Sequence, residues 1–277
     1  MIFSFETWVL IAIAVVWILI AIIQDFRSLE VANWWNFSLI VFVLAYRSFL
    51  SVSKANYWYV LWGVIGLGIF WIISEGFYYA RMFGGGDTKL LMALGTILPL
   101  SLQWQENLQI AIIFLMMFLF SAAIYGTVYS IVLVIIKYNS FKKEYDMLSK
   151  NYKKEILSLV FLSIIFLALS LIFNIPAGVW LSILILISPF LLISAKSIEN
   201  TCLIRKVAVS KLTIGDWIVE KVKIGRKTIK PNWQGLSEEE LKTIKKYKGK
   251  VKVKYGIPFT PAFLFGIIGM VIIMFIL

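Results

Sequence analysis

The chain has 277 residues, 61% of them hydrophobic, with a mean hydropathy of +0.88 and a net charge of +12. That apolar share lies far above a water-soluble globular domain. Histidine is absent and Cys202 is the single cysteine, so there is no base for a Ser-His-Asp or Cys-His nucleophile, no zincin His pair, no cysteine zinc or iron–sulfur ligand set, and no intrachain disulfide.

A helix needs roughly 20 residues to cross a hydrocarbon core about 30 Å thick. In chain order the candidate spans are Trp8–Ile23, Trp35–Leu50, Trp58–Ala80, Thr88–Trp104, Leu108–Ile136, Ile156–Phe173, Ala177–Ala195 and Pro261–Leu277. Thr88–Trp104 is short and contains Gly95 and Pro99; Leu108–Ile136 is long enough to tilt. The first span lacks a basic leader and a small-residue cleavage site, so it reads as a retained helix and not a cleaved signal. The expectation is an all-α polytopic membrane protein of six to eight transmembrane helices, with a small cytoplasmic α+β or β-rich segment.

Basic residues orient the spans. With the N-terminus outside, the inner loops 24–34, 81–89, 137–155 and 196–257 hold 1, 2, 6 and 16 Lys and Arg, and the outer loops hold Arg47 and Lys54. This bias predicts that Thr88–Trp104 crosses. The positive charge reads as topology plus attraction to anionic lipid; no nucleic-acid motif accompanies it, and no nucleic-acid partner is expected. Residues 196–257 are the one sizeable polar region. "VAVSKLTIGDWIVEKVKIGRKTIK" alternates like strands, with breaks at Gly215 and Gly225. "GLSEEELKTIKKY" reads as a short helix with a capping box formed by Ser237 and Glu240. The organisation is therefore a catalytic transmembrane core over 1–137, a basic cytoplasmic loop over 138–155, a transmembrane hairpin over 156–195, a basic cytoplasmic segment over 196–257 and a final helix over 258–277.

Only four aspartates occur: Asp25, Asp87, Asp146 and Asp216. The last two lie in polar segments and read as solvated charges. Asp25 ends the first span and Asp87 opens the fourth, at one membrane depth. Taken singly, Asp87 could be a helix N-cap and Asp25 an interfacial carboxylate paired with Arg27. The run Gly84-Gly85-Gly86 argues for more, because residues without Cβ permit φ > 0 and close approach by another backbone. Such a strip could offer hydrogen bonds to an extended peptide. Two carboxylates held together share a proton, so one can act as base and the other as acid on a peptide bond without metal or cofactor. Glu75 lies three helical turns before the glycines, too deep for that dyad, and reads as a buried partner for a Tyr, Ser or Trp.

"QDFRSLEVANWW" (24–35) followed by "GGGDTKLLMALG" (84–95) resembles the type IV prepilin peptidases, GxGD aspartyl proteases, and their archaeal preflagellin and prepilin peptidases in particular. The family places an Asp at the end of the first span before an apolar-Pro-Asn element; here Asp25 precedes Val31-Ala32-Asn33, with Ala32 in place of Pro. Gly84-x-Gly86-Asp87 and Lys89 match the second motif, with Gly85 at its variable position. "GIPFTPAFLFG" (256–266) is similar to the Pro-Phe-x-Pro stretch before the last helix.

The resemblance implies Asp25 and Asp87 as catalytic residues, supported by Gly84, Gly85, Gly86, Lys89 and Asn33. It implies an endopeptidase that cuts short leader peptides from prepilin-like or preflagellin precursors, after a basic-Gly site at the cytoplasmic membrane face. Many bacterial members also N-methylate the new terminus and carry a cysteine zinc tetrad. One cysteine rules the tetrad out here and points to the peptidase-only branch, with no cofactor and no metal. Two other readings remain: a presenilin-like or signal-peptide-peptidase-like intramembrane protease, which shares GxGD, and a non-enzymatic channel or transporter using the acids as ion ligands.

Overall fold

The computed structural model describes residues 4–276 apart from 225, 226, 233 and 246–248. The chain is mainly helical, with small sheets confined to one polar region. Six of the described helices are long and apolar enough to cross a membrane. They are α1 (Phe5–Ser28), α2 (Asn33–Ser53), α3 (Trp58–Tyr79), α5 (Trp104–Ile136), α7 (Lys153–Ile172) and α8, which runs over Pro176–Ile198 and continues as a π-helical turn to Leu203. The other helices are α4 (Gly85–Leu94), α6 (Tyr138–Asn151), α9 (Glu238–Ile244) and α10 (Pro261–Ile276). Large apolar side chains such as Trp71, Ile72, Phe161 and Leu184 stay more than half exposed, as lipid-facing residues must. The polytopic membrane fold with a small β segment is borne out.

Two compact units divide the chain, Met1–Val128 with Ile257–Leu277, and Tyr129–Gly256. In the first, each helix buries one stripe. On α1 that stripe is Leu10, Ala14, Ile18, Ala21 and Asp25, so the carboxylate continues an apolar face into the core. On α2 it is Asn36, Leu39, Val43, Arg47 and Leu50. The short α4 packs against α2 and α3 and buries Leu90, Leu91, Ala93 and Leu94 almost completely. An aromatic cluster joins the turn before α4 to α5 and α10: Phe83 lies 5.2 Å from Phe259 and 5.6 Å from Phe118, and Phe118 stacks on Phe263 at 4.5 Å.

The expected span Thr88–Trp104 is corrected. Helix α4 has ten residues, about 15 Å at 1.5 Å per residue, and residues 95–103 are not helical. The segment still travels far along its neighbours. Asn36, near the start of α2, bonds Gly86, whereas Arg47, three turns further along α2, reaches the peptide after α4. Beyond that, Thr7 near the start of α1 donates to the Leu100 carbonyl.

Arg47 is also corrected. It is not in an outer loop but inside α2, 3% exposed. Its Nε donates to Thr96 O at 2.8 Å, Nη2 to Ile97 O at 3.1 Å and to Pro99 O, and Nη1 to Tyr59 O at 3.0 Å. The physical reason is the broken helix: carbonyls freed at membrane depth need donors, and a guanidinium supplies five in a planar fork. Gly66 on α3 lets this segment approach, since a Cβ there would meet Gly95 O at 2.1 Å and the Pro99 ring at 2.5 Å.

In the second unit, the segment 138–155 is not a loop. It contains α6, whose Phe141, Tyr145 and Leu148 share one face while its lysines stay exposed; the i, i+4, i+7 spacing makes this face. Beyond α8, strands β1 (Ile204–Ala208), β5 (Lys250–Lys254) and β2 (Trp217–Ile218) form an antiparallel sheet in the order β1-β5-β2, and β3 (Val222–Ile224) pairs with β4 (Lys227–Ile229). Gly215 turns at φ 93°; the expected break at Gly225 lies outside the described residues, as do the closing Lys246 and Tyr247 of the expected short helix. Helix α9 carries the expected capping box of Ser237 and Glu240. Val209, Ile218, Leu241, Ile244 and Val253 centre a small core of its own.

Candidate active site

Asp25 stands in the last turn of α1, 5% exposed. Its carbonyl receives the Leu29 N–H at 2.8 Å, and Leu29 takes a left-handed φ of 57° that ends the helix. The chain then turns through Glu30, Val31 and Ala32 into α2. Ala32, where the family motif has Pro, holds φ −60° and ψ 132°, the φ that a proline ring would impose. The N–H that proline would lack goes to Gln24 Oε1 at 2.9 Å. The replacement is thus accommodated by a side chain from the same motif.

One Asp25 oxygen is held from far along the sequence. Oδ2 accepts the backbone N–H of Thr260 at 3.0 Å and its hydroxyl at 2.9 Å. Thr260 is fully buried and precedes α10. The described residues show no ion pair between Asp25 and Arg27, whose side chain is exposed. The interfacial pairing is therefore replaced by two neutral donors.

Asp87 is the third residue of α4, half-buried. The helix N-cap is Gly84, with φ −73° and ψ 163°, so Asp87 is not the cap. Instead its carboxylate turns back to the Gly84 N–H, and the charge of Asp25 acts on it. The two aspartates thus share one electrostatic site within the first unit.

The glycines differ from one another. None of the three has positive φ, and Gly85 and Gly86 are helical, which corrects the expectation of a left-handed strip. Close approach is the feature that remains. A Cβ on Gly86 would meet Val31 N at 3.1 Å and Val31 O at 3.5 Å, whereas one on Gly85 would meet nothing within 4 Å. On its other side the Gly86 carbonyl accepts from Asn36 Nδ2 at 3.1 Å. Asn36 is fully buried, and its Oδ1 has no partner among the described residues. Lys89 Nζ donates to Asn33 Oδ1 at 2.6 Å, closing the two motifs onto each other at an exposed edge.

Asp25, Asp87, Gly86, Asn33 and Lys89 therefore come together, while Gly84 and Gly85 form the open start of α4. Glu75 stays apart: it is half-buried on α3 with no hydrogen bond or ion pair among the described residues, so the expected Tyr, Ser or Trp partner is not there. Sequence reasoning missed Asn36, Thr260 and Gln24. Asn36 carried a signal, a polar residue in phase with the buried Leu39, Val43 and Leu50. No group of His, Cys, Asp and Glu able to hold a metal ion occurs among the described residues.

Residues 12–131, which contain both aspartates and the glycines, match the sequence profile of the type IV leader peptidase family. The chain is similar to the preflagellin peptidase of Methanocaldococcus jannaschii, 33% identical over 82 residues, which are 30% of this chain and 35% of that protein. It is similar to the preflagellin peptidase of Methanococcus voltae, 32% identical over 88 residues, 32% of this chain and 37% of that one. The Methanococcus maripaludis enzyme of the same name is 30% identical over 82 residues, 30% of this chain and 35% of the relative. The matched stretch spans about a third of the length of these relatives. No solved structure matches the chain. The resemblance read from the two motifs is borne out.

Proposed function

We propose, from a type IV leader peptidase sequence over residues 12–131, that this protein is a membrane aspartic endopeptidase. Its substrates are preflagellin or prepilin-like precursors, whose short leader it removes at the cytoplasmic membrane face without N-methylating the product. The observation that supports this reading is that Asp25 and Asp87 stand at two helix ends whose turns meet, Gly86 against Val31 and Lys89 on Asn33.

A peptide bond laid beside α4 meets two carboxylates that share one proton, because like charges held together do not both ionise. The ionised member takes a proton from water as the water oxygen attacks the carbonyl carbon. The protonated member gives its proton to the carbonyl oxygen, forming a neutral gem-diol. Collapse of the diol breaks the C–N bond; the proton taken from water passes to the leaving nitrogen, and the second carboxylate recovers its proton from the diol. Atoms and charge balance with water as the only co-reactant. The close fit of Gly86 to Val31 and its tie to Asn36 support the height of Asp87, the next residue along the chain. Lys89 and Asn33, at the exposed edge, support the same turn.

The test is cleavage of a purified preflagellin in membranes carrying this protein, read by mass spectrometry of the new N-terminus. Asp25→Asn and Asp87→Asn are expected to lower cleavage by about 10³-fold or more with insertion unchanged, and Glu75→Gln to remain active. A mature product with an unmethylated N-terminus is expected. Near-normal cleavage by either Asn variant would end the dyad reading.

A further inference from the structure

The segment before α10 is the least explained part of the site. The family resemblance covers Pro258, Phe259 and Pro261 but leaves the position between them open, and that position is Thr260. Its surroundings make it rigid. Two prolines restrict the backbone on either side. Phe259 is wedged against Phe83 and Phe118. The Thr260 carbonyl accepts the N–H of Phe263 at 3.1 Å, and the residue is fully buried.

We infer that Thr260 is a positioning residue for Asp25, fixing its carboxylate so that Oδ1, and not Oδ2, takes the proton from the attacking water. The argument rests on the proposed peptidase reading for its chemistry, and on geometry for the rest. A backbone N–H can only donate, so Oδ2 is an acceptor in the bond from Thr260 N. With the hydroxyl donating to the same atom at 2.9 Å, Oδ2 holds two donors. Two donors on one oxygen also stop rotation of the carboxylate about its Cβ–Cγ bond. Oδ1 is then left, at a set angle, as the oxygen free to accept a proton. A carboxylate free to turn would present either oxygen and spend much of its time misaligned.

Three variants separate positioning from packing. Thr260→Val keeps the shape and the backbone donor but removes the hydroxyl. It is expected to lower kcat by about 10²-fold, the scale of a small misplacement of a reacting group, with KM within about twofold because substrate does not touch this residue. Thr260→Ser restores the donor and is expected to recover kcat to within about threefold of the parent. Thr260→Ala removes hydroxyl and methyl and should resemble Val, not Ser. A Val variant with parental kcat, or a Ser variant as slow as Val, overturns the inference.

A second measurement is independent of catalysis. The chain has only four aspartates, so protein labelled with ¹³C at the aspartate carboxyl gives a four-line carbon spectrum in detergent or nanodiscs. The Asp25 line is identified by its loss in Asp25→Asn. Thr260→Val is expected to move that line and leave those of Asp146 and Asp216 in place. An Asp25 line that stays put overturns the inference whether or not preflagellin is cleaved. If the parent protein cleaves no preflagellin but the line moves, the peptidase reading fails and the hold of Thr260 on Asp25 stands.

Discussion

Arg47 donates through Nε to the Thr96 carbonyl at 2.8 Å, from the middle of α2 to the peptide just beyond α4. This bond joins a buried guanidinium to a helix that stops short. Because the opposite end of α4 carries Asp87, the same bond fixes the far end of the element that holds half of the proposed dyad.

Replacing Arg47 with Met would leave the carbonyls of Thr96, Ile97, Pro99 and Tyr59 without these donors. The expected cost is on the order of 3 kcal/mol, seen as a lower thermal midpoint of the detergent-solubilised protein and poor recovery. Arg47→Lys should not restore stability, since one ammonium cannot reproduce the planar fork. A Met variant that melts with the parent would show that the carbonyls find other donors.

At the glycines the structure predicts a sharp contrast. Gly85→Ala has free space and gains helix propensity, so it should retain near-parental stability and cleavage. Gly86→Val, pressed against the Val31 backbone, should slow cleavage by about 10²-fold. Asp87→Ser tests whether Asp87 serves only as a polar group in the first turn of α4: a serine can fill that role but not share a proton, so cleavage should be lost. An active Ser variant would remove Asp87 from the chemistry.

Asn36 supplies a third prediction. Asn36→Leu fits an apolar helix face but removes the donor to Gly86 O. The loss is expected to cost about 1–3 kcal/mol for the carbonyl left unpaired and to reduce kcat more than KM. Equal cleavage by the Leu variant would mean that contact with Val31 alone places Asp87.

The orientation is open to labelling. In a Cys202→Ser background, a single cysteine engineered into the exposed face of α6, for example at Asn139, should resist a membrane-impermeant thiol reagent added from outside and react after the membrane is opened. Labelling in sealed cells would invert the topology and move the proposed site to the outer face.

Much of this arrangement was legible in local patterns. Asp25 sits in phase with Ala14, Ile18 and Ala21, so an apolar stripe already aimed it inward. The two motifs pointed to the meeting of the turn after α1 with the start of α4, seen as Gly86 against Val31 and Lys89 on Asn33. Arg47 was read as a loop residue because charge outweighed phase, although Leu39, Val43 and Leu50 placed it on the buried face. Gly95 and Pro99 marked where α4 weakens, yet the donors that make the break tolerable became visible only in three dimensions. Thr260 carried no local signal at all: its partner lies 235 positions away, and periodicity holds no information at that range.

That separation has a consequence for how the protein is made. Asp25 and Asp87 emerge early from the ribosome, and Thr260 follows Asp25 by 235 residues, a delay on the order of 10–50 s at ordinary synthesis rates. Once Asp87 has followed, the membrane can hold both aspartates while Asp25 still lacks the donors that set its carboxylate. A nascent chain therefore carries both aspartates of the proposed site before Thr260 can set one of them, and translation itself times the completion of that site.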